Sequence, residues 1–207
     1  YQLSYCCDGK ALLSEALAER GLDAAEVLTQ LELLAARNQD DTNWAEASID
    51  QLIDHVLDRY HAVHRNQLVE LLRLARRVEA VHENNPLCPS GLADHLDAMR
   101  QELESHMQKE EQILFPMLRR SLAEQARGPI TIMRLEHDEH GEALARMMFL
   151  ARELELPPGA CNTWRALYSG LAEFRDDLMQ HIHLENNVLF EQAFLSNSNK
   201  HQEVQHG

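Results

Sequence analysis

The 207 residues are 44% hydrophobic and 26% charged, enough apolar material for one medium domain with a packed core, or for such a domain with a small appendage. Asp and Glu number 34 against 19 Lys and Arg, and a formal net charge of -15 argues against nucleic acid and anionic membrane surfaces as partners. No apolar run approaches the ~20 residues of a membrane span, no leader precedes a cleavage site, and four cysteines with one adjacent pair form no secreted disulfide framework, so a reducing cytoplasm is the expected setting.

Cys6 and Cys7 come first in the chain, a vicinal pair that cannot easily bridge to itself without strain. Helices are predicted over 10–19 and 24–37, parted by Gly21 as a stop and Asp23 as an N-cap. Together they make a small helical domain over 1–40, and the polar stretch 38–43 links it to the larger remainder of the chain. Eight glycines and six prolines punctuate the sequence, clustering at 84–91, 128–129 and 157–159. Between these breaks apolar residues recur at helical spacing, with no strand-like alternation. Four long helices result, over about 49–81, 91–120, 129–155 and 160–194, each able to span the ~30 Å of a bundle. Short joins favour antiparallel neighbours, so the fold class is all-α, an up-down four-helix bundle over 41–195. The segment 196–207 has Val204 as its only large apolar residue and reads as a mobile tail, with His201 and His206 given no role.

The seams of these helices carry the chemistry. Steps of four and three along the second give Leu92, Leu96, Met99, Leu103, His106, Glu110, Ile113 and Met117 on one face. The fourth gives Trp164, Leu167, Leu171, Phe174, Leu178, His181, Glu185 and Val188. A histidine and a glutamate one turn apart interrupt each apolar seam, and segments 106–115 and 181–190 share the repeat H-x-x-x-E-x-x-[IV]-L-F. The third helix presents Ile130, Met133, His137, Gly141, Leu144 and Met148; the first presents Leu57, His61, His64, Leu68, Leu71 and Ala75. Every helix thus points at least one imidazole inward. Burying an ionised glutamate without a partner costs several kcal/mol, and pairing each Glu with its own His leaves the first and third helices' histidines unexplained.

Four imidazoles and two carboxylates exceed the four donors of a structural zinc site, and the seam holds no thiolate. Two metals can share them if both glutamates bridge. Each metal then has two nitrogens and two oxygens, an oxo or hydroxo bridge makes five, and one position stays open. That pattern suits iron ahead of manganese. Spacing leaves the choice between His61 and His64 open. Cys88 and Cys161 read as structural, the methionines as core filler, and Glu136, Asp138 and Glu139 as a solvated face from which one carboxylate can hold the second nitrogen of His137. Gly141, one turn after His137, is read as clearing space for a diatomic ligand or an exit path.

The sequence resembles the hemerythrin-like bundles, and more closely the Repair of Iron Centres di-iron family. The matching stretches are Arg59-Tyr60-His61-x-x-His64, Ser105-His106-Met107-x-Lys109-Glu110 through Pro116, Glu136-His137-Asp138-Glu139 and His181-Ile182-x-Leu184-Glu185 through Phe190, together with Tyr5-Cys6-Cys7. The resemblance implies the iron ligands His61, His106, Glu110, His137, His181 and Glu185, and so selects His61 over His64. It implies repair of iron–sulfur clusters damaged by nitric oxide or oxidants, with damaged iron–sulfur proteins as clients and labile iron as the delivered species. Cys6 and Cys7 would act in thiol redox or iron transfer. The family's cysteine pair precedes two glycines, whereas Asp8-Gly9 follows here, and a further stretch is expected ahead of Tyr1. The alternatives are a hemerythrin-like carrier or sensor of O2 or NO, and an enzyme reducing nitric oxide at the metal pair.

Overall fold

The computed structural model describes residues 15, 17–18, 21–29 and 43–195, and among these there is no strand. Cys6, Cys7, most of the 38–43 linker and the 196–207 tail lie outside the described residues. Near the start, Gly21 takes φ +64, and Asp23 Oδ1 accepts from the N–H groups of Ala25 (2.8 Å) and Glu26 (3.1 Å), capping the helical residues 24–29.

Four long helices make up the rest. Helix α1 runs through Ile49–His55, a π turn at Val56–His61 and Ala62–Val81. Helix α2 comprises Leu92–Lys109, a π turn at Glu110–Leu114 and Phe115–Arg119. Helix α3 is Arg127–Leu150, and α4 comprises Asn162–Leu184, a π turn at Glu185–Leu189 and residues 190–195. Ser48 starts α1 with a capping box, its hydroxyl accepting from the Gln51 N–H while the Gln51 side chain accepts from its own N–H. Gly91, at φ +86, precedes α2, where an L side chain would be strained. Helix α3 stops at Leu150, short of the predicted 155, because Arg152, Glu153 and Leu154 form a left-handed turn with φ of 53, 52 and 62. Helix α1 packs against α2 and α4, α2 against α3, and α3 against α4, which closes an up-down ring.

Two apolar clusters fill the ring. One is built from residues such as Leu68, Leu71, Leu96, Leu103, Leu171 and Phe174. The other contains Leu52, Ile53, Val56, Phe115, Leu189 and Phe190. On every helix the buried histidines and glutamates fall between the bulk of the first cluster and the second.

The π turns displace part of the predicted seams. A π turn adds a residue to one helical turn, so side chains beyond it rotate by roughly 100° relative to an unbroken α-helix. In α2 the inward positions after Glu110 are Leu114, Phe115 and Leu118, while Ile113 is 54% exposed. In α4 the inward residues are Leu189 and Phe190 in place of Val188, and in α1 Val56 replaces Leu57. Pro116, which has no N–H to give, sits just past the α2 π turn, where the helical ladder already changes register.

Leu171 is fully buried in the first cluster, away from the polar set. Replacing it with Ala is expected to lower unfolding stability by about 2–5 kcal/mol in urea titration while leaving the metal-binding stoichiometry unchanged.

Candidate metal centre

Each helix brings its part of the set to the same level. His61 comes from α1, His106 and Glu110 from α2, His137 from α3, and His181 and Glu185 from α4; none is more than 1% exposed. Their donor atoms fall into two groups, His61, Glu110, His181 and Glu185, and His106, Glu110, His137 and Glu185. Within each group one atom from every residue lies within 4.8 Å of the others, and both glutamates belong to both groups. Each group offers two imidazoles and two carboxylates to one metal ion. Glu110 and Glu185 each open a π turn and His61 closes one, so the irregular turns of α1, α2 and α4 lie at the donors themselves.

The electrostatics of the set call for a cation. Glu110 lies 3.3 Å from His61 Nε2 and 3.5 Å from His106 Nε2, and Glu185 lies 3.1 Å from His137 Nε2 and 3.2 Å from His181 Nε2. Despite these distances no oxygen of either glutamate, and neither Nε2 of His61 and His181, has a hydrogen-bond partner. His106 Nε2 and His137 Nε2 face each other at 3.1 Å. Burial, and next the Glu185 carboxylate beside it, push the Glu110 carboxyl well above the usual range. Burial and then the neighbouring imidazoles lower His61 to about 4 and also lower His106, so both rings are neutral at neutral pH, the form that ligates metal. The four carboxylate oxygens and the Nε2 atoms of His61 and His181, dry and without hydrogen-bond partners, fit cations better than they fit each other.

The outer nitrogens are tied down. His61 Nδ1 meets Glu111 at 2.8 Å, His106 Nδ1 meets Glu136 at 2.8 Å, and His137 Nδ1 meets Asn186 at 3.0 Å. Arg65 holds Glu111 at 3.0 Å, and Lys109 holds Glu136. Glu136 therefore serves His106, not its neighbour His137 as the sequence suggested. A helical side chain leaves its axis in one direction, and that of Glu136 leads across to α2. Glu111 and Asn186 escaped the sequence reading, although the signal was present: each directly follows the glutamate of the repeat. The repeat's last residue has a matching use, since Phe115 stacks on His61 at 5.8 Å and Phe190 on His137 at 6.2 Å between ring centroids.

His64 belongs to neither donor group, and His61 takes the position between them that spacing left open. His64 is nevertheless fully buried, as is most of His140, and the Nε2 of each has no hydrogen-bond partner. The buried position one turn after His137 is that of His140, and Gly141 beside it is half-buried. Among the described residues Cys88 and Cys161 are free, and Cys161 Sγ lies 3.3 Å from His82 Nε2 at the end of the bundle where α4 begins.

A bundle of four helices with two shared His and Glu groups defines a cation-binding class, and sequence comparison agrees. The hemerythrin HHE cation binding domain model matches residues 52–193, and the model ScdA_N, a domain of unknown function, matches residues 1–35. The iron-sulfur cluster repair protein YtfE of Citrobacter koseri is 47% identical over 193 residues, 93% of this chain and 87% of the relative. The proteins of the same name from Yersinia pseudotuberculosis and Dickeya chrysanthemi are 47% and 45% identical over the same shares. The chain belongs to the hemerythrin-like Repair of Iron Centres family. No described helix is long and apolar enough to cross a membrane.

The lowered histidines set a pH dependence for the metal-free protein. His61 at about 4, and His64 and His140 at about 3, bind protons less readily folded than at the ordinary value of 6.5. Their contribution is complete above pH 6.5 and is lost as pH falls to about 4 for His61 and about 3 for His64 and His140, by about 1.4 kcal/mol per pH unit for each histidine within its own window. Glu110, with its raised pKa, has the opposite sign but is a single group. Thermal melting of the metal-free protein from neutral pH downward should show a midpoint that falls steadily below pH 6.5; a flat profile would contradict the buried neutral imidazoles.

Proposed function

We propose that the chain is a di-iron protein that repairs iron–sulfur clusters damaged by nitrosative or oxidative stress, by donating iron from a labile pair. The observation that carries this reading is the sharing of Glu110 and Glu185 by two pairs of buried histidines, in a chain 47% identical along 93% of its length to proteins named for iron–sulfur cluster repair. His61 and His181 hold one iron, His106 and His137 the other, and the two glutamates bridge them, with an oxo or hydroxo bridge in the oxidised form. Bound there, the pair supplies redox-active iron whose ferrous form binds nitrogen and oxygen donors more weakly than later divalent metals do. The residues around it keep the site dry and orient three of the four rings through Glu111, Glu136 and Asn186.

In this reading residues 1–40 form a thiol-bearing domain, 41–195 the iron-holding bundle and 196–207 a tail. Cys6 and Cys7 pass electrons to the pair or receive iron from it, the clients are damaged iron–sulfur proteins, and the setting is the cytoplasm.

The test is recovery of activity by a nitric-oxide-damaged iron–sulfur enzyme after addition of the full-length chain. The wild type should restore activity and carry two irons. Glu110→Ala and Glu185→Ala should each lose the iron pair and with it the repair, because an ion left with one carboxylate lacks both donor and charge balance. Replacing Cys6 and Cys7 together with Ser should slow repair without lowering iron content. Repair at the wild-type rate by either glutamate variant would refute the proposal.

A further inference from the structure

His64 is 0% exposed, yet no role in the resting site accounts for it. Its ring centroid lies 5.3 Å from that of His181 and 5.6 Å from that of Phe174, whose ring it meets at 86°. What faces its other edge fixes its tautomer. The Arg59 guanidinium donates to Asp177 Oδ1 at 2.5 Å, and despite partial burial the Asp177 carboxyl is held below its ordinary pKa, by Arg59 and then Gln67. An ionised Asp177 only accepts hydrogen bonds. Gln67 must therefore turn its amide NH2 toward Asp177 Oδ2, at 2.8 Å, which leaves the amide oxygen facing His64 Nδ1 at 3.0 Å. An acceptor there requires the proton on Nδ1. The neutral ring then carries its lone pair on Nε2, the atom without a partner.

A ligating imidazole needs this support, with one nitrogen tied to a polar group and the other free for the metal. His61, His106 and His137 have it through Glu111, Glu136 and Asn186. His181 does not: its Nδ1 has no hydrogen-bond partner, and its ring is placed by stacking on Tyr60, 5.0 Å away and 7° from parallel. The His61–His181 group thus has only one imidazole oriented by hydrogen bonding, and it is beside this group that a fully oriented, uncommitted imidazole stands.

We infer that His64 is a reserve ligand, whose Nε2 takes the ion held between His61 and His181 when a bridging carboxylate oxygen releases it. The inference rests on the iron-pair reading above and deepens it. The exchange balances simply: one metal–oxygen bond breaks, one metal–nitrogen bond forms, no electron moves, and no proton leaves because Nε2 carries none. Its use comes as the pair is taken apart, when a glutamate that has lost one ion no longer has to bridge and the remaining ion can exchange an oxygen for the nitrogen of His64. Gln67 and Asp177 act through His64, as positioning residues.

The test compares the full-length wild type with His64→Leu and Gln67→Leu, each loaded with iron, reduced with dithionite and given one equivalent of a ferrous chelator per chain. All three should carry the same iron before reduction. Afterwards the wild-type iron should gain an imidazole by X-ray absorption, whereas in His64→Leu the imidazole count should stay unchanged and the last iron should leave about ten-fold faster. Gln67→Leu keeps the imidazole but frees its tautomer, so its release rate should fall between the two; it also carries the test if His64→Leu does not fold. Equal release rates and equal imidazole counts in all three proteins overturn the inference, as does loss of iron from His64→Leu before reduction, which would make His64 a resting ligand. A wild-type chain that binds no iron would overturn the iron-pair reading itself; a stable pair with unchanged release in the variants overturns this inference alone.

Discussion

Two carboxylates, Glu110 and Glu185, are buried side by side with no hydrogen bond to any of their four oxygens, and most of the bundle's polar interior answers to that fact. A buried carboxylate without compensation costs several kcal/mol or takes up a proton, and two together aggravate each other. Among the described residues no arginine or lysine is buried with them to relieve the cost. The chain surrounds the pair with imidazoles, whose lone pairs can share cations with the carboxylates, and closes apolar clusters on both sides. The balancing positive charge within the protein lies further out, on Arg65 and Lys109, which hold the carboxylates that in turn hold His61 and His106. A cation held between the carboxylates and the imidazoles would offset that burial, and burial keeps His61 and His106 in the unprotonated form that ligates metal.

The repeat in the sequence corresponds to a repeat in space. Hairpins α1–α2 and α3–α4 each supply one histidine from the first helix and a histidine–glutamate pair from the second, with an aromatic ring stacked on the first helix's histidine. The halves differ in one substitution with a physical consequence. After the glutamate, the first hairpin has Glu111 and the second Asn186, so His61 faces an ionised acceptor and His137 a neutral one. An imidazole hydrogen-bonded to a carboxylate is the more basic ligand. Taken with the unsupported Nδ1 of His181, this makes the two donor groups inequivalent: one joins a strongly supported ring to an unsupported ring, while the other has two supported rings.

How much of this was legible depended on what periodicity encodes. Helix count, helix order and the inward placement of His106, Glu110, His137, His181 and Glu185 follow from a 3.6-residue repeat that holds up to the donors. Beyond them the reading drifted by one residue, toward Ile113, Val188 and Leu57, because π turns begin or end at the donors and shift the phase. A π turn has no local sequence signature comparable to an N-cap, so an unbroken helix is the natural default. The choice of His61 over His64 was beyond spacing as well, since both are fully buried; it depends on which ring reaches the carboxylates. Glu136's service to His106 was hidden for a similar reason, because a partner on another helix cannot be read from neighbours in sequence.

Crystals of the iron-loaded chain measured on both sides of the iron absorption edge test most directly whether a pair of metal ions lies between Glu110 and Glu185. Two anomalous peaks are expected, one against His61 and His181 and the other against His106 and His137, with a carboxylate of each glutamate reaching both. A single peak, or two peaks that do not share the glutamates, would contradict it.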